Sequence, residues 1–346
     1  MEEANVTRTV EMLAEVLSSC SPDDRIALIS VIKGVLNDQL VRTQIDECEM
    51  KCSRCGGIEF SRYGKTAAGS QRWQCKHCQA VRCFNSTGTV LANTKLTNDQ
   101  WMTYAECFVD HLPSSRVCER VGVCPKTAWF MRVRTLEALY NYLPAFQMRS
   151  GMGVEVDEIY FRESFKGTHF EGLENKPREA RHNRVGSKHG ISDDQICVVT
   201  AFDDTDDFFF EVTCRGALTH DIALDTLKGR ICSGAIVNTD LHKAYGRVMR
   251  EIGVAVHNAV SAKDEGSIPR MNKIHQDIRT FMAPFKGVST RWLHLYLSWY
   301  KWIRTFSSNS MAAVKQIAAG DYIHTWQSIK DMPYPFRDGR MNPTKC

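Results

Sequence analysis

The chain has 346 residues, 43% of them hydrophobic, and its 44 Lys and Arg against 40 Asp and Glu give a formal net charge of +4. That length and apolar content can fill more than one core, so two or three domains are expected. No run of 18 apolar residues occurs, and the N-terminus opens with acids at Glu2 and Glu3, so neither a membrane span nor a signal peptide is expected. Fourteen cysteines could suggest a secreted disulfide framework, but outside one cluster most sit singly in apolar segments. Reduced thiols in a cytoplasmic protein fit that distribution better.

Residues 7–45 carry apolar positions at helical spacing, broken at Ser19 to Asp24, and two short helices are expected. They would serve as a dimerisation or DNA-end-binding element, or simply as a packing hairpin. The segment 46–90 follows, with a CxxC pair at Cys52 and Cys55 and a second at Cys75 and Cys78. Two CxxC turns joined by a short hairpin bring four thiolates around one ion, which predicts a closed, structural zinc ribbon. Cys48 and Cys83 flank a ligand set that is already complete. From Lys51 to Asn85 seven Lys or Arg stand against the single acid Glu59, so the ribbon offers positive charge to nucleic acid.

A helical stretch is expected from near Thr97, and 97–145 forms the next unit. Here Ser114 to Leu139 reads as a short helix, a glycine turn at Gly122 and a second helix opening on Pro125. This is a helix-turn-helix pattern, with a plain helical hairpin as the alternative. In the first case Lys126, Thr127, Trp129 and Arg132 on the second helix would face the DNA major groove.

From Gly151 the pattern changes to strands. VEVDEIYF (154–161), ICVVTAF (196–202) and DFFFEVT (207–213) are followed by a helix at 219–227, strand 235–240, helix 241–250, strand 254–260 and helix 268–283. Three strands followed by alternating helix and strand is the order of an RNase H-like domain with a mixed five-stranded sheet. The overall class is therefore α+β and multidomain. The polar, basic stretch 162–195 reads as a mobile or DNA-contacting insertion between the first two strands. The acidic run Asp203 to Asp207 reads as a charged hairpin turn, lacking the glycine and terminal glutamate of a calcium loop. Trp292, Tyr296, Trp299, Tyr300 and Trp302 recur at helical spacing and suit core packing before base stacking.

In such a sheet the first strand lies beside the fourth, so Asp157 and Asp240 would meet at one edge. Two carboxylates there repel one another unless a divalent cation joins them, and hard oxygen ligands select Mg2+ or Mn2+. A third ligand is expected from the last helix, where Asn272 is the candidate, with Asp264, Glu265 and Asp277 as rivals. His275, one turn on, would bind a phosphate, replace a ligand or be structural, and Arg279 would contact DNA backbone or form a surface ion pair. Glu155 shares the strand face of Asp157, whereas Glu158 points away, toward solvent or behind the ligands.

At these residues the chain resembles a known family. GMGVEVDEIYF, KHGISDDQICVVTAFDD, VNTDLHKAYG and NKIHQDIRTFMAPFKGVSTRWLHLYLSWYKWI are similar, in order and spacing, to DDE-type insertion-sequence transposases of the ISXO-like branch. The resemblance spans roughly residues 45–305 and includes the ribbon and the helix-turn-helix. It implies a catalytic set of Asp157, Asp240 and Asn272 followed by the basic Arg279, in a catalytic domain at 151–305 with a tail at 306–346. It further implies recognition of terminal inverted repeats, metal-dependent DNA cleavage and strand transfer, and at least a dimer on DNA. A DNA-binding regulator with a decayed site and a nuclease without strand transfer are the alternatives.

Overall fold

The computed structural model describes Cys52 and residues 54–66, 71–82, 90, 94–143, 145–146, 148, 151–166, 190–261 and 268–306. The helices expected within 7–45, Cys48, Cys83, Asp264, Glu265, the middle of the 162–195 insertion and the tail from 307 lie outside the described residues.

The N-terminal module is a three-stranded antiparallel sheet of β1 (Phe60–Lys65), β2 (Gln71–Cys75) and β3 (Val81–Arg82). Its small core consists of Cys52, Cys75 and Ala80, with Phe60 and Cys78 packed against them.

Three helices follow: α1 (Asn98–Val109), α2 (Ser114–Val121) and α3 (Pro125–Tyr142). The start of α1 is set by a capping box. Thr97 Oγ1 accepts from Gln100 N–H at 3.2 Å, and Gln100 Oε1 accepts from Thr97 N–H at 3.0 Å. Gly122 ends α2 in the left-handed conformation, at φ 71°, and Pro125 occupies the first turn of α3, where its missing N–H costs no hydrogen bond. The turn and both helices therefore stand where the sequence places them.

The large sheet contains β4 (Gly153–Arg162), β5 (Gln195–Asp203), β6 (Phe208–Arg215), β7 (Ile236–Thr239) and β8 (Val256–Ala259), in the order β6-β5-β4-β7-β8. Pairings of β4 with β5 and β5 with β6 are antiparallel; β4 with β7 and β7 with β8 are parallel. This mixed five-stranded sheet has the strand order and helix placement expected from the sequence. Helices α4 (His220–Leu227) and α5 (Lys243–Ile252) cross between strands, and α6 (Pro269–Met282) and α7 (Leu293–Phe306) complete the described chain.

Both faces of the sheet are covered, which explains why β5 is buried along almost its whole length. One face packs Val154, Val156, Val199 and Val237 against α4 and α5. The other packs Ile159, Val198, Phe202 and Phe208 against α6 and α7, and the same core continues into α1, α2 and α3 through Phe108, Val117, Met131 and Leu136. Trp299 is fully buried at this junction and stacks on Phe108 with centroids 4.5 Å apart. The segments on either side of the expected boundary near 145–151 thus share one core. Trp292, Tyr296, Tyr300 and Trp302 are buried with Trp299, as core packing requires.

The acidic run forms the β5–β6 turn. Asp203 Oδ1 accepts from Thr205 N–H, Thr205 Oγ1–H and Asp207 N–H at 2.8, 2.7 and 3.1 Å, so the carboxylate organises the hairpin.

Candidate functional site

Two groups of metal-ligating side chains stand out among the described residues, and they are built differently. In the ribbon, Cys52, Cys55, Cys75 and Cys78 bring their sulfurs within 4.8 Å of one another. Each pair sits in the same kind of turn. Cys52 N–H donates to Gly57 C=O at 2.8 Å and Cys52 C=O accepts from Gly56 N–H at 2.7 Å; Cys75 repeats both bonds with Ala80 and Gln79, each at 3.0 Å. The fourth residue after the first cysteine has positive φ in both turns, 72° at Gly56 and 60° at Gln79. The Sγ atoms of Cys52 and Cys78 are 3.5 Å apart and those of Cys55 and Cys75 are 3.6 Å apart. Four thiolates about 2.3 Å from a tetrahedral zinc would be spaced by about 3.8 Å, so the cluster fits that ion; a disulfide would need about 2.05 Å.

The carboxylate group is assembled from separate elements. Val156 pairs with Thr239 in the parallel register of β4 and β7, which sets the next residues, Asp157 and Asp240, side by side where β7 ends. They meet at the centre of the sheet and not at an outer edge, because β4 and β7 are interior strands. Asp157, Glu158 and Asp240 each place a carboxylate oxygen within 4.8 Å of the others. An octahedral cation with oxygens at about 2.0–2.1 Å spans about 3–4 Å between ligands, so a small closure of this group would hold one.

Burial and mutual repulsion hold protons on two of these acids, Asp157 and Glu158. Desolvation is the main cause at Asp157, reinforced by Glu158 and Asp240, and raises it to about 7. Desolvation and Asp240 raise Glu158 to about 7 as well. A divalent cation would replace those protons.

Helix α6 is fixed against β4 by Glu155. Ile268 offers no side-chain cap, but Glu155 Oε2 accepts from Met271 N–H at 2.8 Å and Oε1 accepts from Arg270 Nε at 3.3 Å. Arg270 in turn donates to Asp204 at 2.9 Å. This carboxylate supplies from the sheet the anion that a helix N-terminus favours.

So anchored, α6 brings His275 to Asp157. His275 is 4% exposed, with Nδ1 3.5 Å from Asp157 Oδ2 and Nε2 2.8 Å from Thr200 Oγ1. Thr200 has one hydrogen and can also donate to the Asp157 carbonyl at 2.8 Å. A ring hydrogen on Nδ1 faces the Asp157 carboxylate; on Nε2 it faces Thr200, which then donates to the Asp157 backbone. Either tautomer ties His275 to Asp157. Burial, with Arg279 nearby, lowers it to about 4, so the ring is neutral at pH 7. Asn272 and Arg279 lie on the same stripe of α6 and are exposed on either side of the buried His275. Asp277, a rival to Asn272, is within 3.3 Å of Arg304.

Of the two places expected for Glu158, toward solvent or behind the ligands, the first is not met. Its side chain is 4% exposed and lies on the face covered by α5, beside the buried Tyr245. Period-two alternation correctly puts it opposite Asp157, but at the end of β7 both side chains converge on Asp240.

On α3, Lys126 is exposed and Thr127 and Trp129 are half-buried, Trp129 meeting Trp292 edge-on at 5.9 Å. Arg132 does not face outward and is corrected as a DNA-facing residue. It is 2% exposed, donates to Ser114 Oγ at 3.0 Å and to the Leu112 carbonyl, and lies over the rings of Phe285 and Trp299. The signal was in the spacing: Ala128, Arg132 and Leu136 share one helix face, and all three are buried.

Comparison with known proteins gives little that transfers. No protein-family model and no curated protein matches the sequence. Among solved structures the chain is similar to a simian T-cell lymphotropic virus intasome in complex with PP2A regulatory subunit B56 gamma, at 13% identity and a TM-score of 0.29, over 64% of this chain and 76% of that one. It is also similar to a pre-cleavage Mos1 transpososome, at 11% identity and a TM-score of 0.21, over 64% and 79% of the respective chains. The functional reading therefore rests on the chain's own residues. No helix among the described residues is long and apolar enough to cross a membrane.

Proposed function

We propose that this protein is a DNA transposase of the DDE type, carrying an RNase H-like catalytic domain. The observation that carries the reading is the meeting of Asp157 and Asp240, from neighbouring parallel strands of a β6-β5-β4-β7-β8 sheet, within a three-carboxylate group. Of the ISXO-like pattern, VDE lies on β4, TD closes β7, and Asn-x-x-His lies on α6.

In this reading, Asp157 and Asp240 hold Mg2+ or Mn2+, and Asn272 completes the set from α6 as a neutral amide. Bound there, the cation would lower the pKa of a water or 3′-hydroxyl and stabilise the leaving oxygen of an in-line displacement. His275 positions Asp157. Arg279, exposed beyond it, contacts the phosphate backbone of the DNA. Water attacks a phosphodiester at the element end, its oxygen bonding to phosphorus as the P–O3′ bond breaks and the 3′-hydroxyl leaves. That hydroxyl then attacks a target phosphodiester, releasing the target's own 3′-oxygen, without a covalent protein intermediate. The zinc ribbon, with Lys126, Thr127 and Trp129 of the helix-turn-helix, reads the terminal inverted repeats, and two ends require at least a dimer.

A supercoiled plasmid incubated with labelled element ends and Mg2+ tests the proposal. Joined products are expected, and Asp157→Ala should lower both cleavage and joining by about 10³-fold or more while DNA binding persists. Cleavage without joining would reduce the protein to a nuclease. Intact DNA with tight binding would make it a regulator derived from a transposase, and joining undiminished in Asp157→Ala would refute the active site outright.

A further inference from the structure

The exposed, uncharged Asn272 leaves the proposed site one negative charge short of three carboxylates. We infer that Glu158 supplies it, as a direct ligand of the cation held by Asp157 and Asp240, reaching it from the opposite face of the sheet; this rests on the reading of those two aspartates as a metal site.

Glu158 has the position and the unmet need. Its carboxylate lies within 4.8 Å of both others while its side chain is only 4% exposed. Glu158 Oε1 is buried without a hydrogen-bond partner. The nearest nitrogen, His242 Nδ1 at 3.6 Å, already accepts from Ala244 N–H at 3.4 Å in capping α5, so a neutral imidazole has no hydrogen there to give. Without an ion, the Tyr245 hydroxyl and a proton shared with Asp157 meet part of that need; once the three carboxylates are ionised they repel one another, and a cation is the group that satisfies all three together.

The arrangement also assigns distinct tasks to the two flanks of the site. Glu158 is fixed from below by the α5 face, whereas Asn272 is exposed on α6 and can contact the DNA side of the bound ion. Three carboxylates from one strand and its neighbour make a site that does not depend on α6 for its charge.

Titrating the full-length, zinc-loaded protein with Mn2+ at pH 8 and reading free Mn2+ by electron paramagnetic resonance tests this without any turnover. Glu158→Gln should weaken Mn2+ binding by about tenfold or more, as Asp157→Asn does. Tyr245→Phe, which leaves the carboxylate in place, should bind as wild type does. The inference is overturned if Glu158→Gln stays within about twofold of wild type while Asp157→Asn loses Mn2+, or if Tyr245→Phe loses as much as Glu158→Gln. If Asp157→Asn also binds normally, the aspartate site itself is refuted. Should Glu158→Gln fail to fold, Glu158→Asp keeps the charge but withdraws it by one methylene: weaker Mn2+ binding supports the assignment, and unchanged binding overturns it.

Discussion

The two candidate metal centres in this chain solve the same electrostatic problem in opposite ways. In the ribbon each pair of thiols comes from a five-residue turn whose two backbone hydrogen bonds are the same in both copies, so the ligands are aimed by local geometry. The carboxylates come from β4 and the residue after β7, are held by partners on α5 and α6, and converge only when the sheet is formed. A locally built site depends on its ion for folding. A site built by tertiary structure has its shape without the ion and stores repulsion in it.

Removal of a ribbon ligand should have the largest effect. Cys75 is fully buried, and the core of the module is little more than Cys52, Cys75 and Ala80. Structural zinc in such small modules is bound with on the order of 10 kcal/mol, and that binding energy is folding energy. Cys75→Ser should therefore lose the zinc and leave the segment 51–85 open to proteolysis, while the cooperative thermal transition of the large sheet is unchanged. Stoichiometric zinc in the purified variant would show that the four sulfurs are not the ligand set.

The carboxylate site should behave in the reverse sense. Asp157 and Glu158 titrate near 7 in the folded protein against ordinary values of 3.8 and 4.5. The folded state therefore binds more protons than the unfolded chain between about pH 4 and pH 7. Their contribution to stability is fully present below the unfolded values and is lost as pH rises through about 7, at a rate of up to about 1.4 kcal/mol per pH unit for each group. In chelator-treated buffer with zinc retained, urea denaturation of the wild type should show stability falling across that window. Asp157→Asn should flatten the fall, and at pH 8 it should be the more stable protein. Adding Mg2+ should raise wild-type stability more at pH 8 than at pH 5. A wild-type profile that climbs between pH 4 and pH 7 would contradict the repulsion attributed to the site.

The same contrast explains what could be read from the sequence. The ribbon was legible because spacing alone encodes it, and the five strands were legible because their apolar runs and turn residues are local signals. Asp157 and Asp240 followed once the strand order was recognised. What escaped depends on which surface each element buries. Alternation points Glu158 away from Asp157, and nothing in a one-dimensional pattern shows that β7 stops where both faces become reachable. Glu155 looked like one more acid on a strand, yet it caps α6 from 115 and 116 positions away in sequence. Arg132 looked like a groove-facing base because its charge outweighed its place on the apolar stripe of Ala128 and Leu136.

The smallest expected effect separates the two ribbon turns from each other. Both need a left-handed residue at the fourth position after the first cysteine, and the first turn uses Gly56 while the second uses Gln79 at φ 60°. A side chain there costs about 1–2 kcal/mol against glycine, because Cβ crowds the following carbonyl. Glycine in turn costs about 0.5–1 kcal/mol through the greater freedom of the unfolded chain. Gln79 also donates through Nε2 to the Lys76 carbonyl at 3.1 Å, a surface bond that glycine would forgo. The strain term exceeds the other two only slightly, so Gln79→Gly should stabilise the module by about 0.5 kcal/mol, seen as a modest delay in zinc release to a chelator. Gly56→Gln should do the opposite and hasten release, since it introduces the same strain into a turn without it. Equal release from both variants would mean that the turns are not equivalent ligand clamps, despite sharing their hydrogen bonds.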